Sequence, residues 1–406
     1  MLRGEMVTKP HSISISGLRG WGQIAFDAVG ALTHVVEGMH HEIARRPRIL
    51  GTPRLAATRG VTGLVYRSIR GSTRALAIAY DTAIRQFDNG AATESPTPAV
   101  VAARAALNGI VGDHLVATHN PLAVTMCLRR EGRALVLEPG ALAKAVTGAR
   151  RHAVVLVHGL CMADVGWARH GHDHGAALAR DLDCTVTYLH YNSGLHISTN
   201  GRTLACILDA LVRAWPVPLE RLTIIAHSMG GLVTRSACHH ARCTGSNWVE
   251  RLGEIVFLGT PHLGAPLARG VHWANHALGA SPYTAALALL GRVWSAGAAD
   301  LRQGYLVDED WSGRDPADPK LPPPTPVPLP DGVRCYAIAG CRERTGRLLG
   351  DGLVTVRSAL GDASEPRRSL AIPDERRWVA TGVDHFGLLE RDDVYDRVRA
   401  WLACPR

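Results

Sequence analysis

Lysine is almost missing from this chain of 406 residues. Lys9, Lys144 and Lys320 are the only three, so arginine carries nearly all the positive charge behind a net +9. With the abundant alanine, this points to a GC-rich bacterial genome and says nothing of chemistry. Aromatic residues reach only 5%. No zinc-finger or RNP-like signature accompanies the basic charge, which argues against a nucleic-acid partner. The nine cysteines are odd in number and follow no framework spacing. Reduced thiols, packed as small hydrophobes, are expected. The first residues, MLRGEMVTKPHSISISG, hold no apolar run of signal-peptide type, and no stretch approaches the apolar length of a bilayer span. The expectation is a cytoplasmic protein.

What is present is a globular composition. Hydrophobic residues make up 46% and charged residues 20%, enough to build a sizeable core. The length suits one large domain with additions, or two domains. Charge is unevenly spread: the first 150 residues hold 18 Lys and Arg against 10 Asp and Glu, a net +8. That basic third reads either as a solvated surface or as a face meeting an anionic membrane or granule surface.

Residues 17–45 carry apolar side chains at helical spacing, among them Ile24, Ala25, Ala28, Leu32 and Val36. A second amphipathic run covers 61–87, with Arg67, Arg70 and Arg74 on its polar side, and a third covers 99–115. Residues 1–120 therefore read as a helical N-terminal extension, packed on the rest or serving as a lipid-facing or dimerising surface. A short β part follows at 123–137. From Arg151 strands and helices alternate. Ala153–Val157, Thr185–Leu189, Leu222–Ala226 and Ile255–Leu258 are apolar runs of buried-strand type. Leu204, Ile207, Leu208, Leu211, Val212 and Trp215 form a helical stripe, and 232–240 is a further helix. Alternation of this kind implies a mostly parallel sheet with helices on both faces. The pattern weakens between His262 and Pro330, where a helix at 282–293 precedes the proline-rich run 321–330, which can continue neither a helix nor a central strand. Strand pattern returns at 333–339 and 377–380, and 394–402 is a last helix. Residues 121–406 thus read as one catalytic domain, with a cap or lid inserted after the sixth strand at about 262–330.

The chemistry centres on Ala226-His227-Ser228-Met229-Gly230-Gly231, which lies between a buried strand and a helix. A sharp turn there needs small residues, because strand and helix backbones come close, and it holds a serine out of the fold. Serine needs a base to take its proton and an acid to orient that base. His385, in Gly382-Val-Asp-His-Phe-Gly, follows the last strand signal and is the candidate base. His158 and His227 do not fit the order Ser, acid, His. Asp351, flanked by Gly350 and Gly352, is the candidate acid, with Asp300 and Asp362 as rivals. Asp384 adjoins His385 and is poorly placed to reach its Nδ1. Acyl transfer also needs oxyanion donors. The backbone N–H of Met229 is one, and that of Leu160, in His158-Gly-Leu-Cys161, is the candidate second.

Two other clusters look metal-like. His170-Gly-His172-Asp173-His174 starts a helix, where a structural or surface role is expected. Cys238-His239-His240 and Cys243 lie on one helix, but the two cysteines do not share a face. No metal or cofactor site is expected, and no calcium-binding constellation is identifiable.

Val157-His-Gly-Leu-Cys161, Ala226-His-Ser-Met-Gly-Gly231, Leu258-Gly-Thr-Pro-His-Leu-Gly264, Asp351-Gly-Leu-Val354 and His385-Phe-Gly-Leu-Leu389 together resemble bacterial lipases and esterases of the α/β-hydrolase superfamily. They resemble especially the branch similar to the GPI inositol-deacylase (PGAP1-like) proteins, over about residues 151–402. Ala226 departs from the usual first glycine. The resemblance implies an α/β-hydrolase fold and hydrolysis of apolar carboxylic esters, without a required cofactor, by Ser228, Asp351 and His385. The His-Gly-Leu form of the oxyanion loop implies medium- or long-chain acyl groups. Inositol deacylation itself does not carry over to a bacterium. An acyltransferase or an intracellular polyester depolymerase would use the same machinery, and a non-catalytic lipid-binding protein could keep the scaffold.

Overall fold

The computed structural model of the protein describes residues 17–30, most of 71–81, 97–265, 295–314, 323–343 and 350–403. The helix expected at 282–293 lies outside the described residues, as does the expected helical sequence at 31–45 and 61–70.

Two compact units divide the chain. One comprises residues 1–96, 115–123 and 289–291; the other comprises 97–114, 124–288 and 292–406. In the first, residues 17–30 are helical, as are the described residues between 71 and 81. These two segments are tied by an Arg19–Asp81 ion pair and by Gln23, whose amide donates to Asp81 at 3.1 Å. The Tyr80 hydroxyl donates to the Leu18 carbonyl at 2.7 Å, and its ring meets Phe26 edge-on.

The second unit opens with α1 (Pro98–Ala117), of which residues up to 114 belong to it. By length and composition α1 could cross a membrane, with a mean hydropathy of 1.2, so an apolar stretch of spanning length does exist. Val101, Ala105, Ala106 and Leu107 of this helix are buried within the protein. After it come β1 (Cys127–Arg130), β2 (Arg133–Ala134), α2 (Pro139–Ala145), β3 (His152–Val157), α3 (His174–Asp181), β4 (Thr185–His190) and α4 (Ile197–Ala214). The chain continues through β5 (Arg221–His227), α5 (Met229–Thr244), β6 (Leu252–Leu258), α6 (Ala296–Gln303) and α7 (Asp308–Trp311). It ends with β7 (Arg334–Cys341), α8 (Val356–Leu360), β8 (Arg377–Thr381) and α9 (Asp392–Ala403).

The strands form one sheet in the order β2-β1-β4-β3-β5-β6-β7-β8. β3 to β8 run parallel, and the β1–β2 hairpin lies antiparallel along the β4 edge. This is the α/β-hydrolase fold. Its central strands are apolar on both faces because helices cover both. Val155, Val157, Ile224, Ala226, Ile255 and Phe257 face Leu204, Leu208, Leu211, Leu232 and Val233 of α4 and α5. The alternate residues Val154, Leu156, Ile225, Val256 and Leu258 face Leu178 of α3 and Val394, Val398 and Leu402 of α9. Each such valine, leucine, isoleucine or phenylalanine side chain contributes roughly 1.5–3 kcal/mol by leaving water.

Helix ends are settled by particular groups. Asp173 caps α3 through the Ala176 N–H, and Thr355 caps α8 through the Ser358 N–H. The first N–H of α4 is satisfied from a distance, by Asp300 of α6 at 2.9 Å. Gly245, at φ 70°, ends α5 in the left-handed conformation that glycine adopts without a Cβ clash.

From β3 the chain moves to β4 on one side, then returns to β5 on the other. That reversal opens a crevice at the carboxyl ends of β3 and β5, where open α/β sheets bind their ligands. Val157 pairs with Ala226, and Leu258 with both His227 and Ile338, so these strand ends lie level.

Candidate active site

Ser228 directly follows β5 and precedes α5. Its backbone is at φ 54°, ψ −126°, a region that costs a non-glycine residue of order 1–3 kcal/mol and persists only where the surroundings enforce it. Here the Ser228 N–H donates to the Leu258 carbonyl at 2.9 Å, and the Ser228 carbonyl accepts the Gly231 N–H at 3.0 Å. A Cβ on Gly230 would stand 2.5 Å from the Val157 carbonyl oxygen, which is the physical demand for a small residue in the turn. The serine is thereby held at the positive end of α5, a 16-residue helix, whose dipole favours developing negative charge.

His385 and Asp351 come from loops after β8 and β7. His385 Nδ1 lies 2.7 Å from Asp351 Oδ2, and both side chains are buried. The other carboxylate oxygen of Asp351 accepts the N–H groups of Leu353 at 2.9 Å and Val354 at 2.8 Å. The His385 N–H in turn donates to the Asp351 carbonyl at 3.2 Å. Because a carboxylate accepts, Nδ1 carries the proton, and the Nε2 lone pair is left as a base. The rival acids are engaged elsewhere. Asp300 takes His196 and the start of α4, Asp362 pairs with Arg377, and Asp384 accepts the Gly387 N–H.

His227 links this pair to the serine turn. Its Nε2–H donates to the His385 carbonyl at 3.1 Å, and the two rings lie with centroids 4.7 Å apart. Burial, together with the neighbouring His385, holds His227 well below the ordinary histidine range, so it stays neutral. Chain order excludes His227 as the triad base and carries no signal of this linking role.

The loop after β3 lies against the serine: a Cβ on Gly159 would stand 3.0 Å from Ser228 Cβ. Leu160 and Met229 are both buried, and among the described residues neither of their backbone N–H groups donates to another group. His158 packs beneath this loop, and burial lowers its imidazole from 6.5 to about 3.

The two metal-like clusters resolve into internal bonds. His172 Nε2 meets His174 Nδ1 at 2.6 Å, and His174 Nε2 donates to the Leu388 carbonyl at 3.0 Å. His170 pairs with Glu390 at 2.7 Å. The histidine segment therefore clamps the loop that carries His385. On α5, Cys238 is buried and Cys243 is exposed, with its sulfur 3.7 Å from His239 Nε2. The described cysteines are free thiols.

Residues 130–300 match a family model described as Domain of unknown function (DUF7379). No curated protein matches the chain. Similar solved structures include the mature Bacillus licheniformis lipase BlEst2, 19% identical over 63% of this chain and 93% of that one, with a TM-score of 0.40. The Pyrococcus furiosus esterase PF2001 is 14% identical over 63% of this chain and 82% of its own, with a TM-score of 0.39. Aspergillus fumigatus lipase B is 13% identical over 68% and 55%, with a TM-score of 0.36.

Proposed function

We propose that the chain is a serine hydrolase of carboxylic esters, acting through Ser228, His385 and Asp351. The observation that carries this reading is the 2.7 Å His385–Asp351 contact, at the same end of the sheet as a serine held at positive φ. Ser228 Oγ attacks the ester carbonyl while His385 Nε2 takes its proton. Asp351 orients the imidazole and stabilises its protonated form. The tetrahedral oxyanion accepts the N–H groups of Leu160 and Met229. Its collapse breaks the ester C–O bond, and His385 returns the proton to the departing alcohol. Water, deprotonated by His385, then attacks the acyl-serine; collapse releases the acid, and the proton goes back to Ser228.

Within this reading the substrate is an apolar ester of medium or long acyl chain, as in the lipase branch similar to the PGAP1-like proteins. The His158-Gly-Leu160 form of the loop supports that choice. A chain-length series of p-nitrophenyl esters on wild type and Ser228→Ala, with fluorophosphonate labelling, tests both parts. The expected result is hydrolysis that rises with chain length and disappears, together with labelling, in the variant. Wild type that neither turns over nor labels would favour a binding protein on the same scaffold. Product formed only with an added alcohol acceptor would mark an acyltransferase instead.

A further inference from the structure

β4 ends at His190, and the next residues, Tyr191-Asn192-Ser193-Gly194, are all buried. They run beside the loop 158–161 and use its polar groups one by one. Ser193 Oγ accepts the Cys161 N–H at 3.0 Å. The Tyr191 hydroxyl donates to the His158 carbonyl at 2.9 Å, and its ring stacks on the His158 imidazole with centroids 4.3 Å apart. His158 Nδ1 lies 2.8 Å from the Gly159 carbonyl oxygen, and its Nε2 lies 3.4 Å from the Tyr191 nitrogen. A carbonyl only accepts, so Nδ1 carries the proton and Nε2 receives the Tyr191 N–H.

This sets the direction of one peptide plane. In a trans peptide the C=O and the following N–H point opposite ways. Holding the Gly159 carbonyl towards His158 therefore turns the Leu160 N–H away from it. Ser193 holds the next N–H along, that of Cys161, which sits at φ 59°, so the backbone is pinned on both sides of Leu160. Ser193 is itself fixed. Asn192 Oδ1 accepts the Gly194 N–H at 3.0 Å and Asn192 Nδ2 donates to the Gly112 carbonyl at 3.0 Å. A Cβ on Gly297 would come within 2.2 Å of the Ser193 carbonyl oxygen.

We infer that Ser193 and Tyr191 are positioning residues of the oxyanion hole, which aim the Leu160 N–H by holding the backbone around it. The inference rests on the hydrolase reading above. It is tested with Ser193→Ala and Tyr191→Phe by measuring kcat and KM on a p-nitrophenyl ester, inhibition by a trifluoromethyl ketone, and melting temperature. The ketone adds to the nucleophilic serine and places an oxyanion in the hole, so it reads the hole without turnover.

For Ser193→Ala a fall in kcat of roughly 10-fold is expected, below the 10²–10³ lost when a donor is removed outright. KM stays unchanged, and ketone affinity weakens by the same factor. Tyr191→Phe keeps the ring stack and should move kcat and ketone affinity together by a smaller factor. It carries the test if the serine variant does not fold. Unchanged kcat and ketone affinity in the folded variants, or a kcat loss without a matching loss of ketone affinity, overturns the inference alone. Wild type that neither hydrolyses the ester nor binds the ketone overturns the hydrolase reading and this inference with it.

Discussion

The two ends of the parallel sheet are built on opposite principles. At the amino ends, buried Glu254 of β6 accepts Arg221 Nε and the Thr223 hydroxyl, both at 2.7 Å, and pairs with Arg334. Burial would raise its carboxyl pKa, but the bonds from Arg221, Arg334 and Thr223 outweigh burial and hold it below its ordinary value. At the carboxyl ends, Ser228 is strained. Among the described residues, His227 Nδ1, Thr260 Oγ1 and His262 Nε2 are buried there without a hydrogen-bond partner. Three adjacent strands are thus clamped at one end, while the other holds strain and unmet polar groups. Departures from local optimality of this kind gather where a site is built.

The largest effect expected from breaking this contrast is on rate. Ser228→Ala should lower ester turnover by about 10⁶, as loss of a triad serine does, while leaving thermal unfolding nearly unchanged. Normal turnover would remove Ser228 from the mechanism. Asp351→Asn should cost about 10⁴ in kcat, because the amide favours the wrong tautomer of His385; steady-state rates across pH, with circular dichroism to verify folding, check it.

At the opposite end the effect should appear in stability instead. Glu254→Ala leaves Arg221 and Arg334, each mostly buried, without their carboxylate, and should destabilise by about 3 kcal/mol. Turnover per folded molecule should not move. Urea unfolding gives the first quantity and active-site titration the second; a loss of rate at full folding would erase the division between the ends.

The last expected effect is a pH dependence of stability. Burial lowers His158 from 6.5 to about 3 and His174 from 6.5 to about 4. Between pH 6.5 and 4 the unfolded chain therefore binds protons at these sites and the native state does not. Their stabilising effect is full above 6.5 and declines as pH falls, by about 1.4 kcal/mol per pH unit for each histidine. Urea midpoints from pH 7 to 4.5 should fall accordingly, and a flat profile would show that these imidazoles are not held neutral.

Much of this was legible in the sequence because it is local. Apolar runs such as Ala153–Val157 announce strands buried on both faces, and the small residues around Ser228 announce a strand–turn–helix junction. Chain order brought His385 and Asp351 forward as candidates. Ser193 gave no such signal. Tyr191-Asn192-Ser193-Gly194 looks like an ordinary polar turn, and its meaning comes from lying beside residues 158–161, some thirty positions earlier in the chain.

The alternation of strand and helix and the chemical types available are written in the chain, since both depend on side-chain period and residue identity. Which groups meet is settled by the three-dimensional fold. Asp351 rather than Asp300 or Asp362 faces His385, and Glu254 rather than a water shell meets two arginines. Hydrogen bonds reach about 3 Å and fall away steeply with distance and angle, so partners separated by tens to hundreds of residues are chosen by how strands align and where their loops end.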